Sequence, residues 1–252
     1  GASANNLKDV TVDFNSGQII AITGVSGSGK STLIKDVFYK SWVKNRPVNC
    51  QTVYGMEQFQ DVMLIGQEAF TQNRLSTPVT FTGIIDQLKA IFFKTEVAQT
   101  AGFKKADFSY QSKVGKCPLC AGHGKLKTSM DFMSDIWLTC DSCSGMRFSS
   151  TILDCKYKGK SIGEVLQLTV QEAITFFETV VIIEKLNVLK RLGLGHLVLG
   201  QSGTTLSGGE GQRLKLATAL LKTKKGNTLY LFDEPSTGLH YYDILELINV
   251  FQ

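Results

Sequence analysis

Gly24-Val25-Ser26-Gly27-Ser28-Gly29-Lys30-Ser31-Thr32 is the stretch that decides the fold, with the apolar run Ile19 to Thr23 before it and Leu33, Ile34, Val37 and Phe38 at helical spacing after it. It fits G-x-x-x-x-G-K-[ST] between a strand and a helix, the context in which that pattern has a mechanism. Gly24, Gly27 and Gly29 allow backbone N–H groups to turn inward around phosphate oxygens. Ser26, Ser28 and Thr32 belong to the same cradle, and the helix that starts there adds its positive dipole end. Lys30 is expected to reach the β- and γ-phosphates of ATP, and Ser31 to ligate Mg²⁺ through its hydroxyl. A second apolar strand, Thr228 to Phe232, ends in two acids. Asp233 is expected to be the other protein anchor of the Mg²⁺ shell, with Glu234 placed to polarise the attacking water. A glycine-rich turn without a ligand is the bland alternative, outweighed by the full pattern and the adjacent acids. For Glu234 alone, pairing with a neighbour stays open.

Outward from this loop, Val10 to Phe14 alternates apolar and polar residues as a strand does, and Val62 to Ile65 is a further buried-strand candidate. The middle of the chain changes character. Gly83 to Phe93 and Ser161 to Phe177 carry helical patterns, the second with two capping-box signals, Ser161 with Glu164 and Thr169 with Glu172. A helix from about Gly209 to Lys222 then leads back to the strand at Thr228. The expected architecture is an α/β core at 1–67 and 206–252, a mainly helical insertion at 68–111 and 149–205, and a small module nested at 112–148.

That nested module holds Cys117-Pro-Leu-Cys120 and Cys140-Asp-Ser-Cys143, 19 residues apart. The pattern is that of a tetrahedral Zn²⁺ site, and four thiolates close the shell, so the metal would be structural. Gly122, Gly124 and Gly145 follow the pairs, where turns that aim N–H groups at sulfur favour glycine. Six cysteines in a chain without a secretory signal argue against a disulfide framework. Cys50 and Cys155 read as buried small hydrophobes.

With 252 residues, 43% hydrophobic, 19% charged and four prolines, the composition is that of a soluble globular protein and excludes the disordered and collagen-like classes. No run approaches the ~18 apolar residues of a membrane span, so the reading is cytoplasmic with no membrane partner. Between Lys104 and Lys127 six lysines face one acid, Asp107. A solvated surface and a phosphate-facing one are both open on charge alone.

Leu206-Ser207-Gly208-Gly209-Glu210 resembles the LSGG signature of ABC ATPases. Ser207, Gly208 and Gly209 at a helix N-terminus present N–H groups to an anion, and a plain helix cap is the alternative. Gln67, after the Val62 to Ile65 strand, matches the Q-loop glutamine of that class. Taken with NNLKDV, GVSGSGKSTL, TTLSGGE and DEPSTGLH, and with the four-cysteine module inside a helical insertion, the whole chain resembles the C-terminal ATPase half of the UvrA family of excinuclease proteins.

The resemblance implies an ABC-type ATPase that binds damaged double-stranded DNA in nucleotide excision repair. It implies a second nucleotide-binding domain, from a homodimer or from the other half of a longer chain, and a downstream repair protein engaged through that other half. It also implies slow hydrolysis in an isolated half, since the signature closes over nucleotide held by another domain. His240 falls in the D-loop region and does not match the family's switch histidine. Glu68 to Thr77 departs from the family's Arg- and Pro-rich pattern, with Arg74 as its one basic residue. The alternative is therefore a UvrA-like paralogue giving resistance to DNA-binding drugs without excision. A transporter's ATP-binding component would share the P-loop and signature but has no use for the cysteine module. Lys104, Lys105, Lys113, Lys116, Lys125, Lys127 and Arg147 are the candidates for a phosphate-facing surface. Met130, Phe132, Met133, Ile136 and Trp137 are either that module's core or, for some of them, base-probing residues.

Overall fold

The computed structural model describes residues 1–65, 73–130, 133–222, 226–235, 244, 245 and 248. It divides into two compact units, Gly1–Glu68 with Lys222–Gln252, and Ala69–Leu221. Residues 206–221, assigned from sequence to the α/β core, fall in the second unit.

In the first unit, β1 (Asp61–Ile65) pairs in parallel with β6 (Thr228–Phe232), from Asp61 opposite Thr228 to Ile65 opposite Phe232. Both are short apolar runs, as parallel strands require when both faces are covered. After the glycine loop a π-helix, Thr32–Tyr39, runs directly into α1 (Lys40–Lys44), which stops where Asn45 turns left-handed. Val37 buries itself against Ala2 and Leu7, with Leu33 and Val10 alongside.

The strands expected at Val10 to Phe14 and Ile19 to Thr23 join no ladder. The first contributes a single bridge, Val10 to Ala2, and Val12, Ile19 and Ile20 remain 44%, 59% and 44% exposed. An apolar run is buried as a strand only where another strand pairs beside it, and β1 with β6 is the one parallel pair among the described residues.

The second unit is mainly helical: α2 (Pro78–Phe81), α3 (Ile84–Phe93) and α4 (Glu96–Thr100) precede the cysteine segment. Within that segment β2 (Lys125–Met130) and β3 (Met133–Thr139) form an antiparallel hairpin between the two cysteine pairs. Beyond it come α5 (Ser150–Leu153), the short hairpin β4 (Lys156–Tyr157) and β5 (Lys160–Ser161), then α6 (Ile162–Leu166), α7 (Val170–Phe176), α8 (Val180–Arg191) and α9 (Gly208–Lys222). Ile84, Leu88 and Phe92 of α3 and Ile182, Leu186 and Leu189 of α8 are fully buried at helical spacing. The helical pattern read over Ser161 to Phe177 breaks into two helices because each capping box starts one. Ser161 Oγ accepts from the Glu164 N–H at 3.2 Å while Glu164 accepts from the Ser161 N–H at 2.7 Å. Thr169 and Glu172 repeat the exchange at 3.2 and 2.8 Å.

The Lys156 ammonium, with the N–H and hydroxyl of Ser161, lowers the Glu164 carboxyl to about 2 from its ordinary 4.5. A depressed carboxyl stabilises the fold above its unfolded value and loses that contribution as pH falls through its folded value. Urea unfolding of the wild type is therefore expected to weaken between pH 4.5 and 2 more steeply than that of Glu164→Gln, and equal slopes would contradict this assignment. Ser161→Ala is expected to cost about 1 kcal/mol at neutral pH.

Candidate nucleotide site and cysteine centre

Gly24, Gly27 and Gly29 have φ of 156°, 79° and 99°, so the loop uses backbone conformations that side chains disfavour. The Lys30 ammonium donates to the carbonyls of Gly24 at 2.8 Å and Val25 at 2.9 Å, which draws the loop into a ring. Two residues that sequence reading did not single out brace it from outside. Asn6 Nδ2 donates to the Gly27 carbonyl at 2.7 Å, and Asn5 Nδ2 to Thr32 Oγ1 at 3.2 Å.

Ser31 and Asp233 meet although they lie 202 positions apart: Ser31 Oγ donates to Asp233 Oδ1 at 2.8 Å. The β1–β6 ladder makes the meeting possible, and the Asp233 N–H extends it by donating to the Ile65 carbonyl at 3.0 Å. Lys35 takes the other carboxylate oxygen, Nζ to Oδ2 at 2.5 Å. Burial pushes the Asp233 carboxyl up, but Lys35 and Ser31 outweigh it and hold it below the usual range. Lys35 was missed, although it lies one helical turn beyond Ser31 and so on the same face. Glu234 follows with φ of 49°, an uncommon setting for a residue with a long side chain. Gln67 and His240 lie outside the described residues.

The signature turn behaves as a capped helix start. Ser207 Oγ accepts from the Glu210 N–H at 3.2 Å and Glu210 Oε2 from the Ser207 N–H at 2.8 Å, with Gly208 and Gly209 opening α9. His196 Nε2 meets the second Glu210 oxygen, Oε1, at 2.8 Å. Burial raises the Glu210 carboxyl, and the bonds from His196 and Ser207 more than reverse it.

Cys117, Cys120, Cys140 and Cys143 come together, all buried, with their sulfur atoms within 4.8 Å of one another. Four such ligand atoms so close together could hold one metal ion. Burial pushes the Cys117 thiol up, but the N–H groups of Cys120 and Leu119 lower it to about 7. Leu126 of β2 packs on the cluster. Trp137 does not; its ring carries the Arg74 guanidinium at 3.6 Å and borders His123. Ile136 and Leu138 are 38% and 56% exposed. Phe132 lies outside the described residues, as do the side chains of Met130 and Met133.

Two members of the expected basic surface are otherwise engaged. Arg147 is buried, 8% exposed, because its guanidinium bonds inward, and Lys127 pairs with Asp135 at 2.7 Å.

The ABC transporter family profile matches residues 7–99. UvrABC system protein A of Halalkalibacterium halodurans is 44% identical over 100% of this chain and 27% of its own length. That of Bacillus subtilis is 43% identical over the same shares. The chain belongs to the UvrA family. In three dimensions it matches the crystal structure of UvrA2 from Deinococcus radiodurans, with a TM-score of 0.87 and 37% identity over 99% of this chain and 31% of that one. The fold is thus that of an ABC ATPase, and the chain spans about a quarter to a third of the length of these relatives.

The family's glycine loop is tight where it meets the N-terminal segment. A Cβ on Gly29 would lie 2.7 Å from Leu7 Cδ2, at a φ that side chains resist. Gly29→Ala is expected to lower folding stability by about 1–3 kcal/mol, read as a shifted denaturant midpoint. An unchanged midpoint would mean that Leu7 yields freely.

Proposed function

We propose that this chain is one nucleotide-binding half of an ATP-hydrolysing, DNA-damage-recognising protein of nucleotide excision repair. The observation that carries the reading is the joining of Ser31 to Asp233 beside the glycine loop, in a chain 44% identical to a UvrABC system protein A. Gly24, Ser26, Gly27, Ser28, Gly29, Lys30 and Thr32 would cradle ATP. Ser31 Oγ and Asp233 Oδ1 offer two oxygens 2.8 Å apart, which suits the hard-oxygen preference of Mg²⁺. When bound, that ion supplies charge neutralisation at the phosphates. Lys30 would bind the terminal phosphates, Glu234 polarise the attacking water and Gln67 help orient it. Ser207, Gly208 and Gly209 would face the γ-phosphate held by a second nucleotide-binding domain, from a homodimer partner or the remainder of a longer chain.

The cysteine cluster suits Zn²⁺. Sulfurs 2.3 Å from a central ion stand about 3.8 Å apart at tetrahedral angles, and here Cys117 to Cys140 is 3.9 Å and Cys120 to Cys143 is 3.6 Å. A disulfide would need about 2.05 Å. The ion would fix the 112–148 module within the helical region, 68–111 and 149–205, that interrupts the α/β core. No helix among the described residues is long and apolar enough to cross a membrane; the similarity to UvrABC system protein A is what supports a cytoplasmic protein. A downstream repair protein would engage through the rest of the protein.

Lys104, Lys105, Lys113 and Lys125 are exposed, and Lys127, exposed although paired with Asp135, lies on the same strand as Lys125, which supports contact with the backbone of damaged duplex DNA. Fluorescence anisotropy of labelled duplexes, intact and with one bulky adduct, tests the reading with and without ATP. Binding that prefers the adduct is expected, with a log–log salt slope that shrinks by about 1 for each phosphate contact removed. Lys125→Glu with Lys127→Glu should produce that shrinkage. An unchanged slope would take these lysines out of the interface, and no binding in any condition would take DNA recognition out of this half.

A further inference from the structure

Arg147 is in an unusual position three times over. Its backbone has φ of 72°, where glycine is favoured, in the turn that follows the second cysteine pair. Its carbonyl accepts from the Cys117 N–H at 2.8 Å, and its N–H is directed at the Cys143 sulfur, so it belongs to the cysteine knuckle itself. Yet its side chain leaves the knuckle and is buried. Gly124 makes room for the stem, since a Cβ there would lie 3.1 Å from Arg147 Cγ.

The guanidinium ends between two chain segments. Nη2 donates to the Gly200 carbonyl at 3.0 Å and Nη1 to the Arg74 carbonyl at 3.4 Å, over the Tyr110 ring at 5.1 Å. The same Arg74 carbonyl accepts from Ser202 Oγ at 3.2 Å, and the Gly203 N–H donates to the Ser76 carbonyl at 2.8 Å. Residues 73–76 and 200–203 are thus laced together, and the second segment runs straight into the signature turn at Ser207.

Among the described residues Arg147 forms no ion pair with Asp or Glu. A buried cation needs a counter-charge. Tyr110, Cys120 and Cys143 are the groups whose charge would act on it. Burial keeps the phenol neutral, so the counter-charge can come only from the cysteines once a metal ion holds them as thiolates. Four thiolates around a divalent ion leave a net charge of about −2.

We propose that Arg147 is the positioning residue that makes the metal-thiolate centre and the approach to the signature turn one unit. The loaded centre supplies the counter-charge that keeps the guanidinium buried, and the buried guanidinium locks residues 73–76 against 200–203. Metal occupancy then sets the order of the segment leading to Ser207. This rests on the metal reading above.

The test uses the whole chain, with Arg147→Met and Arg147→Lys beside the wild type. Cobalt substitution comes first: a thiolate-to-cobalt charge-transfer band is expected, and its absence in the wild type would remove both the metal reading and this one. With the band present, zinc release to a chelator and amide hydrogen exchange over 199–206 are measured. Arg147→Met should release zinc at least about tenfold faster, the usual scale for loss of a group that supports metal ligands. Its 199–206 amides should exchange at the same rate with and without metal, whereas wild-type amides slow on loading while α8 stays protected throughout. Arg147→Lys, which keeps charge without the fork, should retain near wild-type release but lose the protection of 199–206. Wild-type release and metal-dependent protection in Arg147→Met would overturn the proposal with the metal site intact. If Arg147→Met does not fold, the wild type alone decides: exchange over 199–206 indifferent to metal, or rising equally in α8, overturns it.

Discussion

The parallel pairing of β1 with β6 is the constraint on which the rest depends. Parallel neighbours cannot be joined by a tight turn and need a long crossover, and here the crossover holds the entire second unit. Because Ile65 lies opposite Phe232, the next residue, Asp233, arrives beside the helix that follows the glycine loop. Ser31 and Lys35 then divide its two carboxylate oxygens between them. A chemical site is thereby assembled from the two ends of the chain, while the middle is free to carry other chemistry.

That middle is organised by a different kind of interaction. Among the described residues of the cysteine module Leu126 packs against the four sulfurs, and the Trp137 ring carries the Arg74 guanidinium instead. Modules of this size rely on a metal for the stability that a core would otherwise supply. The anchorage to the helical body combines polar groups, the Arg147 fork and the Arg74 stack, with the fully buried Phe148 packed on Tyr110.

What was legible in the sequence was local. The glycine loop, each Cys-x-x-Cys pair and the capping boxes at Ser161 and Thr169 depend on residues within a few positions, and the hydrogen bonds of the two boxes are present at 2.7–3.2 Å. What was not legible depended on distant partners. Ile19 to Thr23 has the composition of a buried strand, but composition does not say whether another strand lies beside it. Lys35 could be placed on the face of Ser31, but the acid it meets is brought there by the β1–β6 ladder. Arg147 lies 20 positions beyond the lysines at 104–127 and reads with them as one more surface charge; only the fold reveals that its side chain points inward.

On the proposed function the Ser31–Asp233 junction would hold the metal of a bound nucleotide. Calorimetric titration of the chain with ATP, at several Mg²⁺ concentrations, for the wild type and Asp233→Asn, tests it most directly. Mg²⁺ is expected to strengthen ATP binding to the wild type and to have no such effect on Asp233→Asn, while both bind ATP without the ion. The same Mg²⁺ dependence in the two proteins would contradict it.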